Sequence, residues 1–148
     1  MDFLEDFNFI RTQIFEPFGF KYSPPVKEDE SSEYHAHSIK LNGKLVQYRL
    51  GKITPTKIGQ FITIWKRIGK NPIQPYDDAD DIELLIVTVK SKRHYGQFVF
   101  PKAALVKQGI FSVKGKGGKR AFRVYPPWDK TESKQAKETQ KWQSEYFI

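Results

Sequence analysis

The chain opens on a helical period. Phe3, Phe7, Ile10 and Ile14 recur at spacings of three and four, and Leu4 and Phe15 widen the apolar stripe. Asp2 and Glu5 stand at capping-box spacing at its start, and Pro17 and Gly19 end it. Residues 22–32, with paired prolines, serines and three acids, read as a surface loop. From Tyr34 the apolar period shortens to two. Residues 35–41 and 44–53 flank Asn42-Gly43, a dipeptide suited to the left-handed backbone of a two-residue hairpin. Residues 60–66 are β-branched and aromatic and predict a third strand. Residues 83–90 are almost wholly apolar, as in a strand covered on both faces, and residues 95–100 follow closely enough to pair with it. A short helix over 101–107 fits Pro101 in its first turn and Gly109 near its end. Residues 119–125 predict one more strand, broken by Pro126-Pro127, and a last helix runs over 131–147.

This order of periods predicts a single domain over residues 1–148. Its fold is α/β, a central mixed sheet flanked by N- and C-terminal helices. The triplets Gly59-Gln60-Phe61 and Gly96-Gln97-Phe98 echo each other at two strand entries, but the segments are too short to mark a repeat.

Composition adds limits. At 148 residues with 15% aromatics, the chain can bury a substantial core and is ordered rather than disordered. The absence of cysteine excludes disulfides and thiolate metal sites and suits a reducing compartment. The N-terminus places acids where a signal peptide carries positive charge. No apolar run approaches the ~20 residues of a membrane span. The expectation is a soluble cytoplasmic protein without membrane insertion.

Charge distribution points further. The 17 acids leave two gaps, between Glu33 and Asp77 and between Glu83 and Asp129, and these gaps hold most of the cations. Between them lies one acidic knot, Asp77, Asp78, Asp80, Asp81 and Glu83. With a net charge of +8, such a basic surface around a small carboxylate cluster suits a polyanion, DNA or RNA, beside a divalent cation. The competing explanation is a soluble basic domain whose acids happen to fall in loops.

Several motifs carry candidate chemistry. Residues 52–59, KITPTKIG, offer hydroxyls, lysines and backbone amides to a phosphate. Residues 114–119, KGKGGK, form a flexible basic loop without Walker spacing, which disfavours a nucleoside-triphosphate site. Glu33, His35 and His37 share a face if the strand starts early, though such sets occur far more often without metal. Lys134, Lys137 and Lys141 line one face of the last helix, and Trp128 is placed to stack a base. The set expected to contact phosphates is Lys57, Lys66, Arg67, Arg93, Lys119, Arg120, Arg123 and Lys134, with Trp128 beside them. The alternative is hydrolysis: Asp81 as a Mg²⁺ ligand at the entry of the buried strand, with Gln97 and Lys102 from the next strand.

The stretches KITPTKIGQFITIWKR, GQFVFPKAALVKQGI and KRAFRVYPPWDKTESKQAKETQKWQSEYFI together resemble the MepB family of bacterial proteins over nearly the whole chain. That resemblance implies an α/β core similar to the PD-(D/E)XK nucleases. It makes Asp81, Gln97 and Lys102 the positions to compare with the nuclease motif, from which they depart: position 97 is Gln, and Val99 stands where the motif has Lys. The expected function is nucleic-acid binding on a nuclease-like scaffold. A Mg²⁺-dependent nuclease with a degenerate motif and a regulatory protein-interaction module are the alternatives.

Overall fold

The computed structural model describes residues 2–148. Helix α1 (Phe3–Ile10) starts where the carboxylate of Asp2 accepts the backbone N–H of Glu5 at 3.2 Å, and it runs on through a wider π turn, residues 11–15. Phe7, Ile10, Ile14 and Phe15 are buried, so the apolar stripe is the packed face.

Eight strands follow: β1 (Val26–Lys27), β2 (His37–Leu41), β3 (Lys44–Leu50), β4 (Lys52–Ile53), β5 (Gln60–Thr63), β6 (Ile82–Lys90), β7 (Tyr95–Pro101) and β8 (Ala121–Val124). Helix α2 (Lys102–Lys107) separates β7 from β8, and α3 (Lys134–Ser144) comes last. The main sheet has the order β1-β2-β3-β6-β7, with β3 and β6 parallel and its other pairs antiparallel. A second, antiparallel sheet has the order β4-β5-β8. The mixed central sheet with helices before and after it is the architecture the periods predict.

β6 explains the layering. Ile86 packs under α1 with Val46, Tyr48 and Ile39. Leu85, Val87 and Val89 face the other way, against Ile62 and Phe122 of the second sheet and Leu105 of α2, with Trp142 of α3 packed alongside. Both faces of this strand are therefore dry, as its unbroken apolar run requires. Among the described residues no helix is long and apolar enough to cross a membrane.

The hairpin between β2 and β3 turns at Asn42 and Gly43, with φ of 51° and 79°, the left-handed pair that an Asn-Gly turn supplies. The run over 44–53 is not one strand. It bends at Gly51 from the first sheet to the second, where a Cβ would lie 2.7 Å from Gln60 Oε1 and 3.2 Å from Val89 Cγ1.

Two expectations change. The segment 22–32 contains the edge strand β1, whose two residues are both exposed and so carry no apolar alternation. β2 begins only at His37, because His35 sits at φ 47° after a 3-10 turn. Glu33, His35 and His37 therefore share no strand face, and the His37 ring instead stacks on Phe3 with centroids 3.5 Å apart.

α1 is tied to the sheet by polar contacts as well. Asp6 is fully buried and accepts the Tyr95 hydroxyl at 2.7 Å and the Lys90 ammonium at 3.1 Å. Burial, together with that carboxylate, raises the Tyr95 hydroxyl well above its ordinary value.

Candidate nucleic-acid interface

The acidic knot is a folded turn. Asp77 accepts the Ser112 hydroxyl at 2.6 Å and the backbone N–H groups of Ala79 and Gly115, each at 3.0 Å. These donors hold its carboxyl down at about 2. Asp80 pairs with the Lys66 ammonium at 2.6 Å and accepts the Asp77 N–H. The KGKGGK stretch, expected to be flexible, is the other half of this structure. Val113 and Lys116 exchange two backbone hydrogen bonds at 3.0 Å, and Gly115 is held by Asp77.

The candidate hydrolytic set does not assemble. Asp81 is exposed just ahead of β6. Lys102 lies near it, but its ammonium donates to the backbone carbonyls of Asp78 and Asp80. Gln97 pairs with Thr88, seven residues along β6 from Asp81, which is about 23 Å of strand. Gln97 is wholly buried on the sheet, with neither amide atom hydrogen-bonded. Among the described residues no group of three or more His, Asp or Glu side chains converges where it could hold a metal ion.

The cations, by contrast, gather. A cleft of about 370 Å³ lies between β8, α3 and the loop after α2, and includes Lys119, Arg123 and Ser133 in its lining. A second, of about 260 Å³, shares Arg123, Tyr125, Ser133 and Ala136 with the first and adds Lys57 and one acid, Glu132. A third, of about 230 Å³, shares Lys57 and Ile58 with the second and ends at Trp128 and Asp129. The three clefts adjoin through these shared residues and form one groove. Its middle is set by the loop 54–59, part of the KITPTKIG stretch, against the first turn of α3.

Arg123 anchors that middle. It sits on β8 opposite Phe61, with its guanidinium 5.6 Å from that ring. One of its nitrogens donates to the Thr54 hydroxyl at 2.8 Å. The first turn of α3 faces the groove, its Ala136 N–H capped by the Ser133 hydroxyl at 3.0 Å. Its helix dipole adds positive potential there.

Ion pairing separates the expected contacts into two groups. Lys66 pairs with Asp80, and Arg67 pairs with Glu30 at 3.0 Å. Both line a separate polar cleft that also contains buried Arg49. Among the described residues Lys57, Arg93, Lys119, Arg120, Arg123 and Lys134 have no carboxylate partner. Lys57, Lys119 and Arg123 lie in the groove; Arg120 and Lys134 are exposed neighbours in sequence of lining residues, and Arg93 is exposed in the turn before β7. Trp128 has one ring face covered, with His94 stacked on it at 4.8 Å and 11°, and Phe147 meets it edge-on at 5.8 Å. It walls the groove's end rather than standing free.

The residues that hold the groove in shape were not evident in the sequence. Gln143 of α3 is fully buried, accepting the Tyr125 N–H at 2.7 Å and donating to the Arg123 carbonyl at 3.0 Å. It satisfies the free edge of β8 in place of another strand. Gln140 donates to the carbonyls of Pro126 and Asp129, both at 2.9 Å, and so fixes the segment carrying Trp128. The PPWDK and KQAKETQKWQ stretches contribute the two sides of this clasp.

Comparison with known proteins places the molecule. The sequence model of the MepB-like family matches residues 28–148. A crystal structure of MepB is similar over 100% of this chain and 97% of that one, with 34% sequence identity and a TM-score of 0.81. No protein of curated function matches the chain.

Proposed function

The chain belongs to the MepB-like family, and from that premise we propose that it binds nucleic acid through the phosphate backbone, on a nuclease-like scaffold. The observation that carries this reading is the sorting of cations. Of the expected contacts, Lys66 and Arg67 are neutralised by Asp80 and Glu30, whereas Lys57, Lys119 and Arg123 lie in the groove with no carboxylate partner. A cation without an ion pair exchanges solution counterions for a phosphate at little cost, which is the main source of backbone affinity. Arg123 is suited to a phosphate contact through its remaining N–H groups, its guanidinium being held in place by the Thr54 hydroxyl at 2.8 Å and, more loosely, by the Gly59 carbonyl at 3.4 Å. Lys57 and Lys119 act as point charges on either side.

The separation of Gln97 from Asp81, and the carbonyl contacts of Lys102, favour binding without cleavage by that set. Among the described residues no group of three or more His, Asp or Glu side chains converges at Asp81, so the residues present do not fit a magnesium site there.

The test is fluorescence anisotropy of labelled single-stranded and duplex oligonucleotides titrated with protein across a range of salt. Three groove cations with the flanking Arg120 and Lys134 predict a log–log salt slope between about −2 and −5, taking roughly 0.7 to 0.9 per phosphate neutralised. Arg123→Ala is expected to weaken binding and reduce the slope by about 1. No binding at low salt, or a slope near zero, would overturn the proposal.

A further inference from the structure

Arg49 is a cation that the fold buries without an anion. It stands on the face of β3 turned away from α1 and is 2% exposed. Its Nε donates to the Thr63 carbonyl at 2.8 Å, and its Nη1 donates to Gln47 Oε1 at 2.9 Å and to the Tyr48 carbonyl at 2.8 Å. Among the described residues its Nη2 makes no hydrogen bond and no carboxylate pairs with it. Burial draws the guanidinium below its ordinary value, an effect that the nearby Tyr76 hydroxyl partly offsets. Arg49 lines a polar cleft of about 240 Å³ that shares no lining residue with the phosphate groove. A buried charge without a counter-ion is costly, and a ligand that supplies one removes the cost.

The other charges of this cleft divide into engaged and open ones. Lys66 is paired with Asp80, and Arg67 with Glu30, which also accepts the Trp65 indole N–H at 3.3 Å. Asp29 lines the cleft with no ion-pair partner among the described residues. Glu28 is half-buried and accepts the Gln47 amide N–H at 3.2 Å. The Gln47 carboxamide, 3% exposed, therefore stands between Glu28 and Arg49, accepting from the cation and donating to the anion. It keeps the two charges no more than about 9 Å apart, and they do not pair directly. Ser31 completes the lining. Its oxygen accepts the Thr63 hydroxyl at 2.7 Å, so its own O–H remains a donor.

We propose that this cleft binds a free α-amino acid, with its carboxylate on Arg49 Nη2 and its ammonium on Glu28 and Asp29. A simple anion such as phosphate would satisfy Arg49 but add negative charge beside Glu28, Asp29 and Glu30. A simple amine would leave the guanidinium uncompensated. An α-amino acid carries both charges on one carbon atom and matches the line Glu28–Gln47–Arg49 end to end. The Ser31 hydroxyl offers the carboxylate a second donor. At about 240 Å³ the cleft is smaller than the ~300–1,000 Å³ usual for drug-sized ligands, which suits a molecule of amino-acid size. Three hydrogen bonds already fix the guanidinium, so little ordering is needed on binding.

The experiment is isothermal titration calorimetry of the full chain with each standard amino acid, then with the N-acetyl and carboxamide derivatives of the tightest one, and with inorganic phosphate. At least one amino acid is expected to bind with a Kd below about 1 mM. Each derivative is expected to bind at least about tenfold more weakly, since each lacks one of the two charges. Arg49→Met should abolish binding, with its urea midpoint establishing that the variant is folded. Glu28→Gln, at a partly exposed position, should weaken binding by about tenfold and serves in its place if the methionine variant does not fold. No heat and no rise in the thermal midpoint with any amino acid at ~10 mM would overturn the proposal. Phosphate or the N-acetyl derivative binding as tightly as the free amino acid would also overturn it, by marking a plain anion site. Undiminished binding in a folded variant would place the ligand elsewhere and overturn the assignment to this cleft.

Discussion

Gln143 shows how one side chain can hold a groove in shape. A glutamine in a strongly polar helix looks solvated, yet this one is fully buried and fills two backbone valences at the edge of β8. Truncation to alanine leaves the Tyr125 N–H and the Arg123 carbonyl without partners, at roughly 1–3 kcal/mol for each group stranded away from water. Gln143→Ala is therefore expected to lose about 2–6 kcal/mol in urea unfolding and to weaken nucleic-acid binding through displaced Arg123. Asp77 makes the same case for the acidic knot. Its folded value of about 2 lies below the ordinary 3.8, so its stabilising contribution is present above 3.8 and is lost as pH falls from there towards 2. Asp77→Asn should flatten that acid limb in a series of urea midpoints. An unchanged limb would mean that the turn draws nothing from the ionised carboxylate.

At the scale of elements, periodicity carried most of the information. The stripe of α1, the Asn42-Gly43 turn and the apolar run of β6 each follow from a local rule, and the long-range packing agrees with it. What stayed hidden depended on distant partners. β1 is recognised only by its register with β2, and the continuous pattern over 44–53 conceals a change of sheet. The candidate site divided in the same way. The basic residues around β8 were legible as charge, but their separation from Lys66 and Arg67 depends on which acids fold back onto which cations. Gln97 was singled out by its place on a strand, and the register that sets it far from Asp81 is a tertiary fact. The change of sheet can be tested. Gly51→Ala places a methyl group against Gln60 and Val89, and overpacking of this kind costs about 1–3 kcal/mol in unfolding free energy. Full stability in that variant would mean that the bend is not tightly constrained.

Over the whole molecule, a net charge of +8 would by itself make any exposed lysine a plausible contact for a polyanion. The fold distinguishes among them. Arg67 and Lys66 already have carboxylate partners, and replacing either one frees an acid as well as removing a base. A long-range field built from net charge alone would treat Lys66, Arg67, Lys57, Lys119 and Arg123 alike, whereas a groove of unpaired cations would not. Two sets of variants separate these cases. Lys57→Ala, Lys119→Ala and Arg123→Ala combined are expected to flatten the salt slope by about 3, roughly one unit for each phosphate no longer neutralised. Lys66→Ala with Arg67→Ala changes net charge by two and is expected to leave the slope nearly unchanged. Equal flattening per charge removed in both sets would show that binding answers to the overall field, and the groove would lose its claim to be the site.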